Sequence, residues 1–367
     1  MKSSLHYLKW PLIVTGLGIA LAAWIGWEYS GNGAGALSFL LIAAVLAVLE
    51  ISLSFDNAIV NANKLKSMSP VWQRRFLTWG ILIAVFGMRV LFPLLIVVAA
   101  AHISPWAAIE LAATRPAEYA HLIESAHLPI AAFGGAFLML VALSFFFDQS
   151  KDVDWIEVLE CRLRAAGSVR GMEVGFVLLL ILGFTILLPA GSEARFMFAG
   201  IWGIATFLAV DALGEVLDRW GGSDDDTGSA SGSGASRAGL RATAQGGLGA
   251  FLYLEVLDAS FSFDGVIGAF ALTKNLFLIA IGLGIGAMYV RAMTLMLVEK
   301  GTLAQFRYLE HGAFWSILIL SVVMFAQTMW HIPEAVTGLL GAAFIGVAFL
   351  SSVMWRRKHG GDAAQGD

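Results

Sequence analysis

Ten apolar stretches, each long enough to cross a lipid bilayer as a helix, follow one another along the 367 residues and leave little room for another kind of fold. They run at about 10–29, 36–61, 77–101, 130–147, 172–190, 196–215, 248–273, 276–298, 312–331 and 334–355. A bilayer core roughly 30 Å thick takes about 17 to 25 helical residues, and it offers no water to backbone N–H and C=O groups. Each run must therefore close its own hydrogen bonds as a helix. A composition of 58% hydrophobic and 14% charged residues agrees with this, and so does the mean hydropathy of +0.78. The expected fold is an all-α polytopic membrane protein with about ten transmembrane helices.

Charge tests that topology, because lysine and arginine concentrate on the cytoplasmic side of short loops. With the N-terminus inside, the cytoplasmic segments hold eighteen basic residues and the opposite side holds three, Arg115, Arg195 and Lys274. Both termini are therefore expected in the cytoplasm of an inner-membrane protein. The run from Trp10 to Trp27, preceded by Lys2 and Lys9, reads as a first span rather than a cleaved signal peptide. Trp10, Trp27, Trp79, Trp330 and Trp355 fall near span ends, as an interfacial belt requires.

The net charge is −4, and the basic residues are scattered rather than gathered into a stripe, so nucleic acid is not an expected partner. One cysteine, Cys161, excludes an internal disulfide framework and a cysteine-rich metal site. No loop carries an ATP-binding motif, and nothing points to an enzyme. Gly282, Gly284 and Gly286 lie in an apolar run with no preceding strand, so close helix packing through Gly282 and Gly286 is the expected role. The mixed segment from His102 to Pro129 is expected to hold a short interfacial helix, with His102, His121 and His127 as surface residues.

One segment occurs twice inside these apolar runs. Glu50-Ile51-Ser52-Leu53-Ser54-Phe55-Asp56-Asn57 returns as Asp258-Ala259-Ser260-Phe261-Ser262-Phe263-Asp264-Gly265, with Glu255 one turn earlier. A carboxylate at a membrane helix centre costs about 2.5 to 3.5 kcal/mol on insertion scales, so each copy needs a compensating partner. After each motif span comes a span with a buried arginine, Arg89 or Arg291, and then a third apolar span. The motif spans are second and seventh in order, an odd number of crossings apart. They therefore run in opposite directions, as in transporters built from inverted repeats around a midplane site.

The chain divides accordingly. Residues 1–35 form an N-terminal span, 36–147 a first three-helix repeat, and 148–220 a loop with two middle spans. A Ser/Gly/Ala-rich linker follows at 221–247, then a second three-helix repeat at 248–331, and a final span with a basic tail at 332–367.

Every polar group in the motifs is an oxygen donor, which suits hard cations such as Mn²⁺, Ca²⁺ or Mg²⁺ and argues against Zn²⁺ or Cu⁺. The expected metal-contacting residues are Glu50, Ser54, Asp56, Asn57, Glu255, Asp258, Ser262 and Asp264, with Arg89 and Arg291 as supporting charges. Helical spacing puts Glu50, Ser54 and Asn57 on one face, with Asp56 about 120° away. Either each motif faces two neighbours or the helix unwinds near Ser-Phe-Asp, which Gly265 and Gly268 favour in the second copy. Five acids against two arginines leave negative charge unmatched. The competing reading makes the acids and arginines structural pairs only, and Asp211 in the sixth run is undecided.

Leu49 to Asn57 and Asp258 to Asp264 resemble the paired motifs of the TerC family of integral membrane proteins, within the LysE superfamily of exporters. That family often has serine where this chain has Gly265. The resemblance covers roughly residues 36–147 and 248–331. It implies export of a divalent metal, especially Mn²⁺, with links to tellurite resistance and to metal supply for secreted proteins. The resulting expectation is a secondary transporter working by alternating access, with protons as counter-ion. An exporter of a small organic cation or amino acid, or a non-transporting membrane scaffold, are the alternatives.

Overall fold

The computed structural model describes residues 4–66, 68–80, 82–169, 171–221, 248–301, 305–330 and 332–359. The expected linker lies outside these from residue 222 onward. Among the described residues all regular structure is helical. The first half comprises α1 (Ser4–Ser30), α2 (Gly33–Leu53), α3 (Phe55–Lys66), α4 (Pro70–Arg75), two π-helical stretches at Phe76–Gly80 and Ile83–Leu91, α5 (Phe92–Ala101), α6 (Pro105–Thr114), α7 (Pro116–Ser125) and α8 (His127–Phe146). Then come α9 (Glu157–Ala166), α10 (Met172–Leu187), α11 (Glu193–Gly221), α12 (Leu248–Leu272), α13 (Leu276–Glu299), α14 (Leu309–Gln327) and α15 (Glu334–His359).

Capping chemistry sets several boundaries. Gly31 turns the chain with φ +64°, and the Asn32 side chain then accepts from the Gly35 N–H to open α2. Asn275 does the same for α13, accepting from the N–H groups of Phe277 and Leu278 at 3.0 and 3.1 Å. Where one interfacial helix is expected after His102, there are two. Pro116 bars its predecessor from the helical region, and Arg115 sits at φ −134°, ψ 63° between α6 and α7.

Eight described helices are long and apolar enough to cross a membrane: Tyr7–Ser30, Gly33–Leu53, Pro70–Val98, His127–Phe146, Glu193–Leu213, Leu276–Glu299, Leu309–Gln327 and Val336–Lys358. Apolar side chains on the periphery, such as Leu17, Ile186 and Leu339, stay two-thirds or more exposed, as a lipid-facing surface requires. The chain is a multi-pass membrane protein. The remaining two of the ten expected spans differ for opposite reasons. Met172–Leu187 has only 16 residues, about 24 Å at 1.5 Å per residue. Leu248–Leu272 has 25 residues, ample length, but it carries Glu255, Asp258 and Asp264.

The core is built on α8 and α14, which pack against each other. Phe145 stacks on Phe314 at 3.9 Å between ring centroids. Helix α2 lies against α13, where a Cβ on Gly282 or Gly286 would come within 2.5 Å of Leu46 or Glu50 side-chain atoms. This is the close packing expected of those two glycines.

Candidate functional site

The first motif breaks its helix. Helix α2 ends at Leu53, Ser54 adopts φ −103°, ψ 15°, and α3 begins at Phe55. Serine and aspartate side chains compete with the backbone for hydrogen bonds, which favours such a break. The Asp56 carboxylate accepts from the Asn57 N–H at 2.9 Å and from the Ser316 hydroxyl of α14 at 2.9 Å. Its place in the first turn of α3 also suits a negative charge. On the other side of the break, Glu50 accepts the Ser54 hydroxyl at 3.2 Å and forms an ion pair with Arg89. Arg89 also donates to the Ala84 carbonyl.

The second motif is an unbroken part of α12, so of the two alternatives the unwinding favoured by Gly265 and Gly268 does not occur in this copy. Gly265 serves a different purpose there. A Cβ on it would lie 3.0 Å from Glu50 Oε2, so the missing side chain makes room for the first motif's carboxylate. Arg291 pairs with Glu255 at 3.5 Å and lies over the Phe76 ring at 3.8 Å from its centroid. Gly80 allows this, since a Cβ on it would meet Arg291 Nη2 at 2.6 Å and Glu255 Oε1 at 2.7 Å.

Glu50 corresponds in the repeat to Asp258, yet Arg291 takes Glu255, one turn earlier. Asp258 is therefore left buried without a hydrogen bond or ion pair among the described residues. The Asp264 side chain lies outside the described residues.

Two small cavities adjoin at Ser54. The larger, about 30 Å³, is lined by Glu50, Ser54, Asp56, Gly265, Ser316 and Thr337 among others. The smaller, about 10 Å³, is lined by Ser54, Asn61, Arg89, Asp258 and Arg291 together with Ala84, Ala287 and Val290. A water needs about 10 to 15 Å³, so the pair holds a few waters or one small ion. Most of the buried polar atoms without a hydrogen-bond partner among the described residues belong to the cavity lining or the motif helices: Asn61 Oδ1, Arg89 Nε, Thr337 Oγ1 and two Arg291 nitrogens on lining residues, and Asn57 Oδ1, both Glu255 oxygens and Ser262 Oγ on the motif helices. Such a concentration marks a place where solvent, protons or a ligand complete the bonding. No three His, Cys, Asp or Glu side chains gather as a metal-holding group among the described residues. The carboxylates are instead distributed, with Glu50 and Glu255 on arginines, Asp56 on Ser316, and Asp258 on the cavity wall. Asp211 lines neither cavity and is exposed on α11.

Gly286 offers a sharp packing test. A Cβ there would lie 2.4 and 2.5 Å from Glu50 Cβ and Cγ. Gly286→Ala is expected to destabilise the protein by about 1–3 kcal/mol through this overpacking. Gly284→Ala, whose Cβ meets only Val85 at 3.4 Å, serves as the control. Thermal melting in detergent checks both, and equal melting temperatures would refute the close approach.

Three features escaped the sequence. Ser316 and Thr337 come from α14 and α15, far from either motif in the chain; a buried serine inside an apolar run was their only trace. The third is Glu160 on the amphipathic helix α9. Its fully buried carboxylate contacts Lys151 Nζ at 3.1 Å, His311 Nδ1 at 2.7 Å and Trp315 Nε1 at 3.0 Å. Burial alone would raise this carboxyl's pKa. The His311 and Trp315 hydrogen bonds, with the His311 and Lys151 charges, outweigh that and hold it at about 2.

A family model described as "Protein of unknown function (DUF475)" matches residues 55–359. No curated protein and no solved structure matches the chain. The matched region begins at Phe55, just past the helix break, and runs to the end of α15. It therefore contains Asp56, both arginines, the whole second motif and Thr337. With the match extending over most of its length, the chain belongs to the DUF475 family.

Proposed function

We propose that the protein is a secondary transporter that exports a hard divalent cation from the cytoplasm by alternating access. Mn²⁺ is favoured by the TerC resemblance, and Ca²⁺ and Mg²⁺ fit the donor chemistry. One observation carries the reading. Asp56 is a buried carboxylate with no cationic partner among the described residues, and Asp258 is a second that has only a share of the Arg291 charge already paired with Glu255; both stand on the walls of adjoining cavities at a broken helix. Burying a carboxylate without compensation costs several kcal/mol, and a bound cation removes that cost. Cavities of this size suit a partly hydrated ion better than an amino acid.

In this reading Arg89 stands in for the cargo. Glu50 lines the larger cavity together with Asp56, so an arriving cation gains two negative charges once Glu50 turns from Arg89. Arg89 borders the smaller cavity with Asp258, which then takes over as its partner. Binding thus exchanges one ion pair for another and leaves no charge stranded. Protons serve as counter-ion, because carboxylates lose them to bind metal and regain them on release.

Ten spans, two inverted repeats and cytoplasmic termini belong to the same proposal. Reciprocal packing supports the repeats. The motif helix of each repeat packs on the arginine helix of the other, α2 on α13 and α12 on the Ile83–Leu91 stretch, and the third helices α8 and α14 pair. A glycine of each arginine helix also meets a glutamate of the opposite repeat, Gly286 at Glu50 and Gly80 at Glu255.

Reconstituted into liposomes, the wild type is expected to carry Mn²⁺, with Asp56→Asn and Asp258→Asn each lowering flux at least about tenfold while melting normally. Unchanged flux in both variants would remove the metal assignment. An outwardly directed Mn²⁺ flux indifferent to an imposed pH gradient would remove only the proton exchange.

A further inference from the structure

Resting on the transport reading above, we infer that the last helix completes the cargo site. Thr337 of α15 and Ser316 of α14 are neutral oxygen ligands that join Asp56 in holding the cation. Neither lies in a motif, and α15 lies outside both repeats.

The observation is a hydroxyl in an unusual state. Thr337 is 6% exposed and lines the larger cavity, and its Oγ1 is fully buried with no hydrogen-bond partner among the described residues. Helical serines and threonines usually spend the hydroxyl on the carbonyl one turn back. Thr185, Ser260, Thr294 and Ser352 all do so here, with distances of 2.7 to 3.0 Å. Thr337 does not.

Ser316 is also diverted, donating to Asp56 Oδ2 at 2.9 Å. A hydroxyl whose proton is committed to a carboxylate still has lone pairs to offer a cation. The backbone of α15 comes close enough only because its facing residues are small. A Cβ on Gly341 would stand 2.7 Å from Ser316 Oγ and 3.9 Å from Asp56 Oδ2, and one on Gly338 would meet Leu53 at 2.6 Å. Asp56, Glu50, two hydroxyls and one or two waters make an all-oxygen set for a small hard cation that keeps part of its hydration, as Mg²⁺ and Mn²⁺ do.

The test uses the full-length protein in detergent with Mn²⁺ as probe, binding being read from the loss of the free-ion electron paramagnetic resonance signal. Thr337→Val, which keeps the shape and removes the oxygen, is expected to raise the Kd for Mn²⁺ about tenfold. The KM for Mn²⁺ flux in liposomes rises with it. Thr337→Ser restores the affinity, and Ser316→Ala weakens it as Thr337→Val does. Melting without metal gives the opposite sign. Thr337→Val is as stable as wild type or more so, because a buried unsatisfied hydroxyl has been removed. Thr185→Val, remote on α10, leaves the Kd unchanged.

If Asp56→Asn abolishes binding while Thr337→Val binds like wild type, this assignment is overturned and the transport reading stands. Wild-type protein that binds none of Mn²⁺, Mg²⁺ or Ca²⁺ overturns both.

Discussion

Arg89→Met is expected to destabilise the protein by about 3–5 kcal/mol, and adding Glu50→Gln is expected to recover most of that loss. Glu50 is 1% exposed and Arg89 3% exposed, so neither charge can turn to solvent when the other is removed. Removing one partner of a buried pair leaves an uncompensated charge, which costs far more than the net worth of the pair, whereas replacing both is often close to neutral. The stability order is therefore wild type near the double variant, with Arg89→Met well below. Melting temperatures in detergent, run as a double-mutant cycle, decide it. Equal melting of wild type and Arg89→Met would show that Glu50 is not ionised in the resting protein. Transport separates from stability here: the double variant is expected to fold and to carry no cation, since both halves of the exchangeable pair are gone.

Glu160→Ala is expected to cost about 3–5 kcal/mol, because it removes the buried acceptor used by His311 and Trp315 and leaves the half-buried Lys151 ammonium only the more distant Asp154 at 3.9 Å. The same carboxylate predicts a pH dependence. Its folded pKa of about 2 lies below the ordinary value of 4.5, so the folded state favours the ionised form. The stabilisation is complete above about pH 5 and is lost as pH falls from there towards 2, amounting to roughly 3 kcal/mol for a shift of this size. Glu160→Gln lacks the titrating group. The melting-temperature gap between wild type and Glu160→Gln should therefore narrow as pH falls from 5 to 3, and a gap independent of pH would refute the assignment. What this cluster secures is the start of α14, since His311 lies five residues before Ser316.

Much of the architecture was legible because a bilayer converts composition directly into helices. Length and apolarity alone located eight spans, and the Gly282/Gly286 spacing foretold a close helix packing, for which the folded chain supplies α2 as the partner. Helical periodicity also put Glu50 and Ser54 on one face, where they hydrogen bond. It could not say which helix would stand opposite. That Arg291 makes its ion pair with Glu255 rather than Asp258, that Ser316 donates to Asp56, and that Thr337 lines the cavity are all facts about neighbours, decided by packing between separate helices. The position of the helix break escaped for a related reason. Glycine marks where a helix is weak, but Ser54 and Asp56 have side chains that satisfy a broken backbone, whereas Gly265 makes room for Glu50. Glu160 fell in a segment read only as a loop, and the folded chain alone shows three partners converging on it.

The broken α2–α3 and the continuous α12 make the two motif helices mechanically unequal. A rod hinged at Ser54 bends at that point, while an unbroken helix of 25 residues tilts as one piece. In the transport cycle proposed above, the inward-opening and outward-opening half-cycles would then not be mirror images, and symmetry would not oblige them to run at the same speed. Gradients would still set the final balance of cargo across the membrane. The single hinge would instead decide which half-cycle limits turnover, and so how the rate responds when either side is saturated.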